Sequence, residues 1–349
     1  MKFLIVKTSS LGDLIHAFPI VTYLRKKYPH SQIDWVVEKP FADLIKAHPH
    51  INTTLCIDSK KWRSALYSGE TRNEFAAFRQ QLQSTHYNAI FDLQSNIKSS
   101  LIMLLAHGEA KVGFGRNTVH EWPNLLVTNR KYDPPKGQNI RDDNLFVVQN
   151  YFKDATPYHD EGVSLNISKS QQQQIENILA HPNLQNKPRI MVCSGSNWRN
   201  KQLPLETLEV MLCRANEHYN GSFLFAWGNQ EEKIVAEQLQ AKFQKNSVVI
   251  DRLPLPLLQN LMGKLELVIA MDSLPLHLAG TTATPTFSVF GASSGAKFCP
   301  SGERHRFVQG PCPYGRTFEK RCSILRTCKT GACIREMDPE SIAKVLLGS

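Results

Sequence analysis

The chain has 349 residues and a formal net charge of +10, with 42% hydrophobic and 21% charged residues. This length exceeds one typical hydrophobic core and predicts two domains, and the composition is that of an ordinary soluble globular protein. No apolar run is long enough to span a bilayer, and no signal-peptide pattern opens the chain. We therefore expect a cytoplasmic protein whose eight cysteines form no disulfide framework.

The first part of the chain alternates strand and helix patterns. Apolar runs predict strands at residues 3–6, 33–37, 55–57, 89–92 and 112–114. Helical periodicity predicts helices at residues 14–28, 41–48, 71–84, 98–106 and 141–151. Residues 60–63 are interpreted as a basic loop and residues 116–137 as an irregular region. The alternation is typical of βαβ units with a parallel sheet.

Weak periodicity from 153 to 170 predicts a domain boundary, and a second series of the same kind follows it. Strands, one with its turn, are predicted at 189–193, 223–228, 248–250, 267–271 and 286–291, and helices at 171–179, from 204 and from 231. The predicted fold class is α/β, with two Rossmann-like domains that face each other across a cleft. The predicted parts are an N-terminal domain at 1–160, a C-terminal domain at 170–334, and a helix within 335–349 that packs back on the N-terminal domain.

Polar loops follow several of these strands at their carboxyl ends, where ligands bind in open α/β sheets. Residues 7–13 follow the first strand and place Asp13 in the first turn of a helix, either as an N-cap or facing a ligand. In the second series the loops are 194–201, 227–231 and 272–277. Small residues there let backbone N–H groups approach a phosphate, and Lys201 adds a positive charge. The loops predict an anionic ligand, with plain polar turns as the alternative.

These stretches resemble sequence elements of glycosyltransferase family 9, the lipopolysaccharide heptosyltransferases, and within it most of all the heptosyltransferase I group. The resemblance covers most of the chain in the same order. Its elements are KTSSLGDLIHAFP at 7–19, DLQ at 92–94 with KS at 98–99, KQLP at 201–204, WG at 227–228 with Glu231, and DSLPLH at 272–277. The departures from the family pattern are Leu274 in place of glycine followed by Pro275, Asn197 in place of threonine, and Leu203 in place of tryptophan.

The resemblance implies a GT-B fold and an inverting transfer of L-glycero-D-manno-heptose from ADP-heptose to the Kdo region of the lipopolysaccharide inner core of a Gram-negative bacterium. Asp13 matches the general base. No metal or other cofactor is expected to be required. The residues implied to bind the donor are Ser196, Asn197, Lys201, Glu231, Leu253, Asp272, Ser273, Leu274 and His277.

The implied acceptor is lipid A–Kdo, whose phosphates and carboxylates suit the positive net charge. We expect peripheral contact with the anionic inner face of the inner membrane. No nucleic-acid partner is expected, because no RRM, helix-turn-helix or KH signature is present. The residues implied to bind the acceptor are Ser10, Lys60, Lys61, Arg63, Gln94, Lys98 and Arg116.

Other interpretations stay open at this point. One is a GT-B enzyme that uses another sugar nucleotide or core acceptor, such as a heptosyltransferase II-like or III-like protein or an epimerase. Another, suggested by charge alone, is a nucleic-acid-binding protein. Four C-terminal cysteines could hold zinc or iron, but they lack the CxxC spacing, so reduced thiols are the first expectation. They are Cys312, Cys322, Cys328 and Cys333.

Overall fold

The computed structural model describes residues 1–65 and 67–348. These divide into two compact units, Met1–Val163 and Ser164–Ser349. The division falls inside the stretch 153–170, whose weak periodicity predicted a boundary. The last residue of the predicted terminal segment, Ser349, lies outside the described residues.

The first unit is a parallel six-stranded sheet with helices, in the strand order β3-β2-β1-β4-β5-β6. Its strands are β1 (Lys2–Val6), β2 (Gln32–Glu38), β3 (Thr53–Ile57), β4 (His86–Asp92), β5 (His107–Phe114) and β6 (Arg130–Tyr132). Its helices are α1 (Leu11–Ile15), α2 (Phe18–Lys27), α3 (Ala42–Lys46), α4 (Ser59–Ser64), α5 (Gly69–Gln83), α6 (Ile97–Leu105) and α7 (Ile140–Tyr151). Short 3-10 helices lie at Lys39–Phe41 and Trp122–Leu126.

The second unit repeats this architecture, in the strand order β12-β11-β10-β7-β8-β9. Its strands are β7 (Arg189–Cys193), β8 (Ser222–Phe225), β9 (Ser247–Val249), β10 (Leu267–Met271), β11 (Thr286–Phe290) and β12 (His305–Gln309). Its helices are α8 (Lys169–Leu179), α9 (Leu205–Tyr219), α10 (Gln230–Lys242), α11 (Leu255–Met262), α12 (Leu274–Ala279), α13 (Gly295–Phe298), α14 (Ala332–Arg335) and α15 (Pro339–Leu347). Short 3-10 helices lie at Pro182–Leu184 and Arg199–Lys201. The α/β fold class is confirmed.

Both sheets have one topological switch point. In the first unit the chain moves outward from β1 to β3 and then returns to add β4 on the other side of β1. In the second unit the same step places β10 beside β7. Loops that leave neighbouring strands in opposite directions open a crevice there, which is where such sheets bind ligands.

The structure corrects the predicted helix at 14–28 and the predicted loop at 60–63. The helix is interrupted between α1 and α2, because Pro19 has no N–H to donate to the carbonyl of Ile15. Residues 60–63 form most of α4, since the Asp58 side chain accepts a hydrogen bond from the backbone N–H of Lys61 and caps the helix.

The terminal helix α15 packs on α9 and β12 of the second unit. Its apolar side chains Ile342 and Leu346 are fully buried in the core of that unit. The guanidinium of Arg214 on α9 also donates to both carboxylate oxygens of Glu340, at 2.7–3.1 Å. Apolar burial and this bidentate pair together fix the helix to its own unit.

None of the helices within residues 1–65 and 67–348 combines the length and apolar character needed to cross a lipid bilayer.

Acidification is expected to destabilise the first unit through His48, which lies buried just after α3. Its ring packs against Phe18 at a centroid distance of 4.8 Å, and its Nδ1 accepts the backbone N–H of His50. Burial, together with the charges of His50 and Arg25, lowers the pKa of His48 to about 3. In the unfolded chain the pKa of a histidine is about 6.5. The stabilisation that His48 contributes above that pH is therefore lost as the pH falls towards 3. When the pH falls from 7.5 to 5, the protonation linked to His48 should lower the free energy of unfolding by about 2 kcal/mol.

Urea unfolding of wild type and His48→Gln at these two pH values measures this cost. The variant should lose about 2 kcal/mol less than wild type on acidification. His218→Gln, which removes an exposed imidazole on α9, is the control and should keep the wild-type pH dependence. An unchanged pH dependence in His48→Gln would show that this ring does not titrate on unfolding.

Candidate active site

Asp13 lies in the loop that leaves β1 at the switch point of the first sheet. Ser10 is the N-cap of α1, and both its backbone N–H and its hydroxyl donate to Oδ2 of Asp13, at 3.0 and 2.7 Å. The Asp13 side chain keeps 36% of its surface exposed, and the buried His16 places Nδ1 4.0 Å from its Oδ1. Asp13 is therefore a carboxylate fixed by its own helix turn and open to solvent.

The loop that carries Asp13 is held by the loop that follows β4. Oε1 of Gln94 accepts the backbone N–H groups of Thr8 and Ser9, at 3.0 and 3.3 Å, and Nζ of Lys7 donates to the carbonyl of Leu93 at 2.5 Å. Gln94, predicted to bind the acceptor, thus also connects the two loops at the switch point.

Asp92, at the end of β4, is fully buried and orders the second of these loops. It accepts hydrogen bonds from the backbone N–H groups of Gln94 and Ser95, the hydroxyl of Ser99 and the amide of Asn124, at 2.6–2.9 Å. Burial raises the pKa of Asp92, and these donors offset part of that rise. Within the sequence element at 92–94, Asp92 therefore has a structural role, whereas Gln94 contacts the loop that carries Asp13.

Carboxylates neutralise part of the predicted acceptor-binding set. Nζ of Lys98 lies 2.7 Å from Glu38. Nζ of Lys61 lies 2.7 and 2.8 Å from two carboxylates of α5, and the hydrogen bonds that it donates to them raise the pKa of Lys61. These carboxylates belong to Glu70 and Glu74. Lys60 and Arg63 share α4 with Lys61, and Nε of Arg63 donates to the carbonyl of Ser59. Arg116 is exposed after β5.

The second unit holds a buried ion pair at its switch point, between the loops after β7 and β10. Nζ of Lys201 lies 2.5 Å from Oδ2 of Asp272, and fewer than one tenth of either side chain is exposed. The Ser293 hydroxyl donates to the same carboxylate oxygen, and Nε2 of His277 lies 3.6 Å from the other. Burial raises the pKa of Asp272, but the charges of Lys201 and His277 and the hydrogen bonds outweigh it, so the pKa lies below its usual value. Asp272 is therefore an anion.

The remaining predicted residues of these two loops lie next to this pair. The Ser196 hydroxyl donates to the carbonyl of Asp272 at 3.4 Å, and Gln202 donates to the carbonyl of Ser196 at 2.6 Å. Ser273 is the N-cap of α12 and Leu274 its first residue, both half-buried. The structure thus brings Ser196, Lys201, Asp272, Ser273, Leu274 and His277 together, whereas Asn197 is exposed.

The turn after β8 is organised by Glu232, while its neighbour Glu231 is exposed at the start of α10. Glu232 accepts the backbone N–H of Gly228 at 2.7 Å. A Cβ on Gly195 would lie 2.0 Å from the Glu232 carboxyl carbon, so only glycine lets this carboxylate reach the loop after β7. Leu253 is buried and lies just after the third strand of this unit, β9.

The comparisons with known proteins fit this geometry. The family model for glycosyltransferase family 9 (heptosyltransferase) matches residues 75–327. The chain belongs to this family. It is 26% identical to lipopolysaccharide heptosyltransferase 1 of Pseudomonas aeruginosa over 329 residues, which are 94% of this chain and 89% of the relative. It is 38% identical to lipopolysaccharide heptosyltransferase 1 of Escherichia coli K12 over 140 residues, 40% of this chain and 44% of that relative.

Two solved structures show the same fold. Escherichia coli heptosyltransferase WaaC with ADP aligns with a TM-score of 0.75 at 24% identity, over 89% of this chain and 94% of that one. Escherichia coli ADP-heptose lps heptosyltransferase II aligns with a TM-score of 0.71 at 16% identity, over 100% and 98% of the two chains. The family 9 enzyme described here therefore has the two-domain α/β architecture of GT-B heptosyltransferases.

Three carboxylate or hydroxyl groups near the candidate site of this heptosyltransferase were not predicted: Glu38, Glu232 and Ser293. Two signals in the sequence point to Glu232 and Ser293. Asn229 and Glu232 have the spacing of a helix N-cap and its third residue, and the Asn229 side chain does cap α10. Ser293 follows β11, whose carboxyl end lies beside that of β10.

The eight cysteines of the heptosyltransferase are free thiols. Within the described part of the chain, no group of three or more histidine, cysteine or acidic residues is arranged to hold a metal ion. Cys312, Cys322, Cys328 and Cys333 all line one small cavity of about 20 Å³. Burial, together with the other three thiols, raises the pKa of Cys333 to about 11.

Lys201→Met is expected to lower the free energy of unfolding of this heptosyltransferase by about 3 kcal/mol, because it leaves the buried Asp272 without its counter-charge. Adding Asp272→Asn should recover part of that loss. A double-mutant cycle by urea unfolding measures the coupling. The control is Lys187→Met, which breaks the exposed 3.3 Å pair with Glu266 and should cost less than about 1 kcal/mol. Equal losses for the two lysines would contradict a buried, coupled pair.

Proposed function

We propose that this heptosyltransferase transfers L-glycero-D-manno-heptose from ADP-heptose to the Kdo region of the lipopolysaccharide inner core, with inversion at the anomeric carbon. The observation that carries the proposal is the buried pair of Lys201 and Asp272 at the switch point of the second sheet. A cation there suits a diphosphate, and a carboxylate beside it suits sugar hydroxyls. Relatives whose names state lipopolysaccharide heptosyltransferase 1 support the same donor and acceptor class.

Asp13 is the general base of the proposed reaction. A sugar hydroxyl is a poor nucleophile until a carboxylate within hydrogen-bond reach takes its proton. As that proton passes to Asp13, the acceptor oxygen bonds to the anomeric carbon of the heptose, and the bond from that carbon to the diphosphate oxygen breaks. The Ser10 hydrogen bonds fix the carboxylate without burying it. A base that takes a proton from an external substrate must be both held in position and accessible.

Lys201 stabilises the leaving diphosphate as it gains charge. The hydroxyl of Ser196, the side chain of Asn197 and the backbone N–H groups of Ser273 and Leu274 are further donors in the proposal, whereas Pro275 has no N–H to offer. Asp272 holds heptose hydroxyls and keeps the lysine in place before the donor arrives. Because Lys201 and these hydrogen-bond donors stabilise the diphosphate, the proposed mechanism invokes no metal ion.

The nucleoside is proposed to lie by the turn after β8 and the segment after β9. Glu231 is exposed there and is placed to accept hydrogen bonds from ribose hydroxyls. Leu253 offers an apolar surface for adenine. His277 contributes through Asp272, whose carboxylate lies 3.6 Å from its Nε2.

The lipid A–Kdo acceptor is proposed to contact the first unit. Lys60 and Arg116 are exposed, and neither forms an ion pair in the part of this unit that the structure describes. They are better placed to meet acceptor phosphates and carboxylates than Lys61 and Lys98, which already have carboxylate partners. Ser10, Arg63 and Gln94 complete the proposed set. A cytoplasmic enzyme in peripheral contact with the inner face of the inner membrane would meet this acceptor directly.

Asp13→Asn tests the general base. The variant keeps the shape of the side chain but cannot take a proton, so kcat for transfer from ADP-heptose to a Kdo-bearing acceptor should fall by about a factor of 100 or more. The Kd for ADP, measured by calorimetry, should stay within about twofold because donor binding uses other residues. Asp43→Asn, on the exposed face of α3, is the matched control. Normal turnover by Asp13→Asn would remove this residue from the mechanism.

Thermal unfolding with different ligands tests the donor class. ADP at about 100 times its Kd should stabilise the protein by about 2.7 kcal/mol and raise its Tm, while UDP, NAD and oligonucleotides should shift it little. Lys201→Met should abolish most of the ADP effect. A selective response to NAD or RNA would contradict the proposal. Transfer assays with truncated core acceptors then separate Kdo from an existing heptose as the acceptor sugar.

A further inference from the structure

A second cavity of the C-terminal unit lies on the loop that also carries Lys201. Its volume is about 490 Å³, within the range of about 300–1,000 Å³ that is common for small-molecule sites. One wall is the 3-10 turn after β7, and the other is the segment that ends in α14. We call this cavity the basic pocket; it is lined by Trp198, Arg199, Asn200, Leu325, Arg326, Cys328, Lys329 and Arg335.

The charge of the basic pocket is of one sign. Its lining contains four cations and no carboxylate. None of the four forms an ion pair with an acidic residue among those described, in contrast to Lys61, Lys98 and Lys201. Like charges held around one cavity repel one another and are relieved by an anion. Three of them are guanidinium groups, which bind phosphate and carboxylate in a bidentate manner.

The walls of the basic pocket are tied together. The side-chain amide of Asn200 donates to the carbonyls of Leu325 and Cys328, at 2.9 and 2.8 Å. Gly331 approaches the same asparagine so closely that a Cβ would lie 2.4 Å from Oδ1, and its φ of +60° also favours glycine. These contacts join the C-terminal segment to the loop after β7.

One wall presents an aromatic face. The guanidinium carbon of Arg326 lies 4.7 Å from the centroid of the Trp198 ring, and 38% of the tryptophan remains exposed. Stacking on the indole holds this guanidinium in a defined plane, which lowers the entropy lost when it binds a planar anion. An exposed indole face is also a surface on which a sugar ring can pack.

The basic pocket and the proposed donor site share one short loop. Ser196 and Lys201 contact Asp272, whereas the residues between them, 198–200, line the pocket. The diphosphate of the donor already has its own partners in Lys201 and Ser196. The four additional cations therefore suit a different anionic group, on the substrate that reacts with the donor.

We propose that the basic pocket binds a phosphate or carboxylate group of the saccharide acceptor. This inference rests on the proposed function, and it adds to the first-unit residues an acceptor contact in the second unit. Arg326 and Arg335 are the residues expected to contribute most, because both present guanidinium groups from the C-terminal segment that forms one wall. Trp198 supports them by stacking.

The test uses the full-length enzyme and the carbohydrate part of the acceptor, a Kdo-bearing glucosamine disaccharide with its phosphates but without acyl chains. Calorimetry of Arg326→Gln/Arg335→Gln should show a Kd for this saccharide weakened at least about tenfold, with the Kd for ADP within about twofold. The KM for acceptor should rise more than kcat falls. Arg326→Lys/Arg335→Lys keeps the charge but loses bidentate binding, so its Kd should lie between those of wild type and the glutamine variant.

The control is Lys169→Gln/Lys245→Gln, which removes two exposed charges from the same unit away from the basic pocket. It should bind the saccharide as wild type does. A saccharide without its phosphates separates the two anion sources: loss of the variant's effect with this ligand identifies phosphate, and an unchanged effect identifies the Kdo carboxylates.

Three results would overturn the inference. The first is wild-type saccharide binding by the glutamine variant, and the second is an equal loss of saccharide binding in the control. The third is a loss of binding only to vesicles of anionic phospholipid, which would indicate a membrane contact instead. Failure of the proposed function is distinguishable from these. An enzyme that transfers no heptose to Kdo acceptors, yet binds the saccharide through the two arginines, would refute the proposed reaction and support the pocket.

Discussion

The buried pair of Lys201 and Asp272 is the interaction on which the organisation of the second unit's site depends. Removing two charges from water is costly, and the cost is offset only when each charge has a partner and further hydrogen bonds. Here Ser293 donates to the same carboxylate and His277 lies beside it. The loops after β7, β10 and β11 must therefore stay together for any one of these groups to remain buried. In the proposed function, the incoming diphosphate meets a lysine that is already desolvated and positioned, and shares it with Asp272.

The first unit solves a related problem in a different way. Asp92 is buried, no cation among the described residues forms an ion pair with it, and four donors from backbone and side chains hydrogen-bond to it. Its effect reaches Asp13 indirectly, since the ordered loop presents Gln94 to the backbone of Thr8 and Ser9. Of the two aspartates, the buried one fixes the loops, and the partly exposed one is the general base of the proposed function. In that proposal, burial separates structural from chemical roles within sequence elements that look equally polar.

The sequence was sufficient for the features that depend on local pattern. Continuous apolar runs identified β1, β7 and β10, because strands buried on both faces need them. The edge strands β6 and β12 were missed, since most of their residues are exposed and carry polar side chains. Loops at the carboxyl ends of strands followed from the βα alternation, and with them the position of Lys201, whereas Ser196 and Asp272 were implied by the family resemblance. No local pattern shows that Glu232, and not Glu231, organises the turn after β8. The carboxylate partners of Lys61 and Lys98 also depend on tertiary contacts. Likewise, the apolar face of α15 predicts burial but does not specify the surface that covers it.

The difference between local pattern and tertiary contacts also decides how the net charge of +10 should be interpreted. A sum over the sequence counts Lys61, Lys98 and Lys201 as available cations, yet each has a carboxylate partner within 2.9 Å. The cations of the basic pocket have no such partner among the described residues. Since paired cations attract a distant anion far less than unpaired ones, each cation of the basic pocket should attract an anion more strongly than Lys61 or Lys98 does. A positive excess thus becomes informative about substrate binding only after the acidic neighbours of each cation are known.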